Sequence, residues 1–135
     1  MREKIQLPVE EFTSENPVTA NETTTIREAR DLMKEANCRH LPVVKDGKPV
    51  GLISDRDLRL FLSHKDALDL DVSFVMADIP FIVNKREPME KVALEMSRKK
   101  IGSAIVTDAD DKVFGIFTST DALNAVVELI RGDWD

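Results

Sequence analysis

Apolar residues along this chain follow two rhythms in turn, and the pair of rhythms occurs twice. Ile26, Ala29, Leu32, Met33 and Ala36 recur at spacings of three and four, which puts them on one stripe of a helix. Thr25 stands before that stripe with Glu28 three residues on, a capping-box pattern that predicts where the helix starts. The rhythm then shortens to two apolar runs, Leu41-Pro42-Val43-Val44 and Val50-Gly51-Leu52-Ile53. Lys45-Asp46-Gly47-Lys48 lies between them, and the Asp-Gly pair predicts a tight β-hairpin. A second helix is predicted over Asp55–Leu62. Met89, Val92, Ala93 and Met96 repeat the helical stripe, with Pro88 expected at the first helical position. Ala104-Ile105-Val106 and Val113-Phe114-Gly115-Ile116-Phe117 repeat the hairpin about a turn at Asp110-Asp111, and a last helix is predicted over Ser119–Arg131 with Gly132 as its stop. Residues 63–71 are polar and read as a connector, and the tail 133–135, with Trp134, is expected to fray.

The two halves match residue by residue. Pro17 and Pro80, Ile26 and Met89, Met33 and Met96, and Val43 and Val106 are each 63 apart. From Gly51 and Gly115 onward the spacing is 64, so one residue has been inserted at the hairpin turn. Gly51-Leu52-Ile53-Ser54-Asp55-Arg56-Asp57 returns as Gly115-Ile116-Phe117-Thr118-Ser119-Thr120-Asp121. A module this small buries little by itself, so two similar modules are expected to pack together.

Composition narrows the class. At 135 residues, 42% hydrophobic and 33% charged, the chain suits a compact soluble fold with a modest core. No apolar run is long enough to span a bilayer and no secretory apolar core follows the first residues, so a cytoplasmic location is expected. Cys38 is the only cysteine, which rules out an intrachain disulfide. A net charge of -6 and the lack of a stacking platform disfavour nucleic acid as a partner. The closing helices carry more apolar residues than one face can hold: Leu58, Leu60, Phe61 and Leu62 in the first, and Leu123, Ala125, Val126, Val127, Leu129 and Ile130 in the second. That excess predicts a second subunit, most simply a homodimer.

The order, spacing and duplication of these motifs resemble a tandem pair of cystathionine-β-synthase (CBS) domains, a Bateman module. Arg39-His40-Leu41-Pro42-Val43-Val44, the two Gly-apolar-apolar-Ser/Thr-x-x-Asp runs and Ile101-Gly102-Ser103 carry the resemblance, which covers about residues 8–131. It implies an α/β (α+β) fold of two β-α-β-β-α repeats, 8–62 and 72–131, packed through their sheets with pseudo-twofold symmetry. It also implies a standalone regulatory module with no catalytic cofactor. Such a module binds an adenosine-containing ligand (AMP, ADP, ATP or S-adenosylmethionine) in a cleft between the repeats and signals to a client protein.

Under that resemblance Asp57 and Asp121 are expected to hold ribose hydroxyls, since an ionised carboxylate accepts from both vicinal O–H groups. Ser54 and Thr118, with the free N–H groups of the following helices, are expected to face phosphate. Arg56 and Arg39 are its charge partners and His40 a further donor. Gly51 and Gly115 are read as permitting close backbone approach. Val18, Thr19, Pro42 and Ile53 in repeat one, and Ile82, Ile105 and Phe117 in repeat two, are expected to line the base slot. Repeat two has Gly102, Ser103 and Thr120 where repeat one has Arg39, His40 and Arg56, so one strong and one weak site are expected. Asp57 is favoured as the stronger anchor, the alternative being that the pseudo-twofold brings Arg39 or His40 across to a nucleotide held by Asp121.

Plainer roles exist for the same residues. Ser54-x-x-Asp57 and Thr118-x-x-Asp121 are also N-cap patterns, which compete with ribose for the carboxylate. Arg39, His40 and Arg56 can be solvated surface groups, Met33, Met89 and Met96 core filling, and Cys38 a small buried hydrophobe. The run Arg98-Lys99-Lys100 suits the end of a helix dipole. Ser54, His40 and Asp57 can be drawn as a hydrolytic set, but no nucleophile elbow supports an enzyme, and no metal-ligand cluster is seen. The alternative to a sensor is a structural or dimerisation module with no physiological small ligand.

Overall fold

The structure, a computed structural model, describes residues 6–132, so Trp134 and the expected fraying of 133–135 lie outside it. In chain order the regular elements are β1 (Ser14–Glu15), α1 (Ile26–Ala36), β2 (His40–Lys45), β3 (Lys48–Ser54), α2 (Asp55–Leu62), β4 (Ile82–Asn84), α3 (Met89–Lys99), β5 (Ser103–Thr107), β6 (Val113–Thr118) and α4 (Ser119–Arg131). They form two compact units. One is Pro17–Pro80, and the other joins residues 6–16 to residues 81–132.

In the unit Pro17–Pro80, α1 starts at a complete capping box. Thr25 Oγ1 accepts from the Glu28 amide at 3.1 Å, and Glu28 Oε1 accepts from the Thr25 amide at 3.3 Å. Ile26, Ala29 and Met33 bury the predicted stripe among Leu41, Val43, Ile53 and Leu58. β2 and β3 pair antiparallel about Asp46 and Gly47, both at positive φ, as a two-residue turn of matching twist requires. The hairpin is flanked on both edges: Ala20 bridges Val43 in parallel, and Ala77 bridges Leu52 antiparallel.

The predicted connector is folded into this unit. The Leu70 and Leu68 carbonyls accept from the Ile26 and Arg27 amides, each at 3.0 Å, and the Val72 amide donates to the Thr24 carbonyl at 2.8 Å. These residues therefore satisfy the first free donors of α1, and Leu68 and Val72 are buried beneath it.

The other unit holds a four-stranded sheet in the order β1-β6-β5-β4, with only β4 parallel to its neighbour. Val92 and Met96 of α3 pack on Ala104, Val106 and Phe117. Pro88 sits one position earlier than expected, as the N-cap itself. The N-terminal segment supplies what residues 68–72 supply to α1: the Met89 amide donates to the Leu7 carbonyl and the Val9 amide to the Glu87 carbonyl, each at 2.7 Å. The inserted residue lies in the longer β5–β6 turn, which Asp108 closes by accepting from the Asp110 and Lys112 amides. These two backbone donors hold the Asp108 carboxyl below the ordinary carboxylate range.

Candidate functional site

Each closing helix begins where a strand ends, and each puts a carboxylate at its third position. Ser54 caps α2: its Oγ accepts from the Asp57 amide at 3.1 Å, and Asp57 Oδ2 accepts from the Ser54 amide at 3.1 Å. One carboxylate oxygen is thereby fixed. Among the described residues nothing donates to Asp57 Oδ1, and the side chain is half-buried. The cap thus uses one oxygen of the carboxylate and leaves the other open.

The start of β2 lies against this corner. His40 pairs with Ser54 across the hairpin, and the Arg39 carbonyl accepts from the Asp55 amide at 2.8 Å. Arg39, His40, Ser54, Arg56 and Asp57 are thereby held at one end of the unit. Arg39 and Arg56 are exposed and form no ion pair with a described residue. Asp55, by contrast, is neutralised by Arg59 at 2.8 Å. Burial pushes the His40 imidazole below its ordinary value, with Arg39 adding to the effect and the Asp57 and Asp55 carboxylates opposing it. The corner therefore carries two free guanidiniums, the N–H groups at the start of α2, a neutral imidazole and one open carboxylate oxygen. That set matches a polyol next to an anion.

The matching corner of the other unit differs. Thr118 caps α4, with Asp121 Oδ2 accepting from the Thr118 amide at 2.9 Å and from Thr118 Oγ1 at 3.1 Å. Asp121 Oδ1 accepts from Ser14 Oγ at 3.2 Å. Both oxygens thus accept from the protein, Oδ2 twice and Oδ1 once. Gly102 repeats the role of Arg39, its carbonyl accepting from the Ser119 amide at 3.0 Å, but it brings no charge.

The two motif glycines admit the chain itself. A Cβ on Gly115 would lie 2.5 Å from the Ser14 carbonyl oxygen, and one on Gly51 would meet Met76 and the Ala77 carbonyl. The close approach read from these glycines is made by β1 and by residues 76–77.

Four of the expected base contacts offer no surface. Pro42, Ile53, Ile105 and Phe117 are fully buried. Ile53 and Phe117 belong to the cores of their units, because strand alternation turns them inward beside the half-buried Ser54 and Thr118. Val18 and Ile82 remain exposed and Thr19 half-exposed, just before and within the segments that flank the hairpins. Ile82 lines an open groove with Phe81, Val83 and Lys91. Burial raises the Cys38 thiol, so it is a poor nucleophile. Sequence reading missed Ser14. Running the 63-residue spacing back from Pro17 and Pro80 would have set it opposite Ala77.

No helix among the described residues is long and apolar enough to cross a membrane. The CBS domain family matches this chain twice, at residues 9–64 and 71–128. The chain belongs to that family. It is 32% identical over 114 residues to an L-aspartate semialdehyde sulfurtransferase of Methanocaldococcus jannaschii, covering 84% of this chain and 22% of that enzyme. It spans only 22% to 36% of the first curated relatives it matches. Among solved structures it is similar to the CBS domain pair of protein MJ0100 in complex with 5′-methylthioadenosine and S-adenosyl-L-methionine, at 29% identity and a TM-score of 0.79, covering 96% of this chain and all of that one. It is also similar to CBSX2 in complex with AMP, at 26% identity and a TM-score of 0.78, covering 90% of this chain and 97% of that one. The mixed α+β architecture and the two repeats are those of a CBS domain pair.

Proposed function

We propose that this chain is a regulatory module that binds an adenosine-containing ligand, with Asp57 as the main ribose reader, and passes the binding event to a partner protein. The observation that carries this reading is the Ser54–Asp57 corner, where one carboxylate oxygen stays open beside two unpaired arginines. Support comes from relatives that hold AMP, 5′-methylthioadenosine or S-adenosyl-L-methionine. In this reading Ser54, the α2 amides, Arg39 and Arg56 hold phosphate or another polar 5′ group. His40 gains a proton when an anion arrives. Val18 and Thr19 flank the base at the first site and Ile82 at the second, which is built on Asp121 and Thr118. The role is regulatory and not catalytic, in the cytoplasm. Ligand acts on the partner through unequal affinity for two states of the module.

The test is thermal unfolding with AMP, ADP, ATP, S-adenosylmethionine and GMP, on wild type, Asp57→Ala and Asp121→Ala. A ligand specific to the folded state stabilises by about 2.7 kcal/mol at a hundredfold excess over its dissociation constant. A shift confined to adenosine ligands and lost in Asp57→Ala supports the reading. A folded protein that no adenosine ligand stabilises would move the assignment to a structural, dimerising module.

One observation favours that second reading. Leu123, Val126, Val127 and Ile130 form a continuous exposed stripe on α4, with Ile130 81% exposed. The stripe fits a second copy of this chain, and a homodimer is compatible with either reading.

A further inference from the structure

We propose that Ser14 is an internal competitor for the second ligand site, so that the protein itself holds the Asp121 corner closed while leaving the Asp57 corner open. This rests on the reading of Asp57 and Asp121 as ribose readers. Ser14 Oγ donates to Asp121 Oδ1 at 3.2 Å, and the remaining oxygen is held by Thr118. The protein takes three of the roughly four acceptor sites of the Asp121 carboxylate, so a ribose diol, which needs two, must compete with Ser14 for Oδ1.

The internal repeat provides the control. Ser14 pairs with Ile116, and Ala77 bridges Leu52. Ser14 and Ala77 are 63 apart, and Leu52 and Ile116 are 64 apart, so the two pairs occupy equivalent places. At that place one unit has a hydroxyl and the other has a methyl, which has no donor. The open oxygen of Asp57 follows from alanine at 77. The same strand pairing holds both residues, so the difference lies in one side-chain atom and not in the backbone.

The consequence is an ordered pair of sites. Ligand at Asp121 must exchange the Ser14 hydrogen bond for its own, whereas ligand at Asp57 displaces only water. Release of Ser14 also removes a side-chain tie between β1, which precedes the first repeat, and the start of α4. Occupancy of the second site therefore loosens the N-terminal segment.

The experiment is calorimetric titration of the full chain with AMP, with 5′-methylthioadenosine and with 2′,3′-dideoxy-AMP. The Asp57→Ala background isolates the Asp121 site and the Asp121→Ala background isolates the Asp57 site. Ser14→Ala in the first background is expected to tighten AMP and 5′-methylthioadenosine about fivefold, the scale of one net hydrogen bond. Ser14→Thr, which keeps the hydroxyl, stays near wild type. Ala77→Ser in the second background weakens the Asp57 site by a similar factor. The gain from Ser14→Ala disappears with the dideoxy ligand. Weaker or unchanged binding in Ser14→Ala, with the Asp57 site still binding AMP in the Asp121→Ala background, overturns the competitor role and leaves the sensor reading standing. Absence of binding at both sites in every variant overturns both together.

Discussion

Ser14 Oγ reaches Asp121 Oδ1 across 3.2 Å, tying a residue that precedes the first repeat to the carboxylate that opens the last helix. In the first repeat the place of Ser14 is taken by Ala77, which bridges Leu52 and carries no side-chain donor, and the equivalent carboxylate, Asp57, keeps an oxygen free. Two motifs that read alike along the chain are therefore chemically unequal, and the cause lies outside the motifs.

The motif glycines are expected to tolerate substitution unequally. In Gly115→Ala the new methyl meets the Ser14 carbonyl at 2.5 Å, and backbone cannot step aside cheaply. In Gly51→Ala the nearest atom belongs to the flexible Met76 side chain, with the Ala77 carbonyl behind it at 3.1 Å. Gly115→Ala should cost about 1–3 kcal/mol, the usual scale of overpacking, and Gly51→Ala less. Urea unfolding checks the order. Hydrogen exchange at the Asn16 amide, which donates to the Phe114 carbonyl, reports whether β1 has detached.

Capping and the proposed ligand reading should be separable. Thr25→Ala and Ser54→Ala each remove an N-cap hydroxyl and should each cost about 1 kcal/mol of stability. Only Ser54→Ala should weaken ligand binding, because α1 starts away from the Asp57 corner. Equal losses of affinity in the two variants would show that the effect is indirect.

Acidification should weaken the fold through His40. Its folded pKa is depressed, chiefly by burial, so the unfolded chain takes up the proton first. Stability is then full above the ordinary histidine pKa of about 6.5, falls as pH drops below it, and levels off beneath the folded value. Denaturant midpoints measured between these limits should flatten in His40→Gln. An NMR titration of the His40 ring should give a midpoint below that of a model peptide, and it should rise when AMP is bound.

The α4 stripe should set the oligomeric state. Leu123→Glu with Ile130→Glu puts two charges on side chains that are 67% and 81% exposed, so the protomer should fold unchanged. Light scattering should show a smaller species than wild type. An unchanged mass would assign the stripe to a different partner.

Sequence alone carried the helices, the hairpins and the motif corners. Helical spacing placed α1 and α3, the Asp-Gly pair placed the first turn, and both closing helices match their predicted bounds. Those features are local: periodicity, capping and turn chemistry act within a few residues. The inward turn of Ile53 and Phe117 was less legible, because a strand residue next to a motif hydroxyl can be read onto either face until the core is known.

The amino-acid order determined the repeat, its 63-residue spacing, and the two Ser/Thr-Asp corners with charge beside only the first. Only the tertiary structure decided which lead segment serves which repeat. Residues 7–15 fold with the second repeat, and residues 68–77 with the first. The physical reason is that the two lead segments offer the same backbone groups to the same kind of helix start and strand edge. Local pattern cannot choose between equal pairings, and chain path and packing can. That choice put Ser14 on Asp121 and paired Ala77 with Leu52 at the equivalent place in the first repeat.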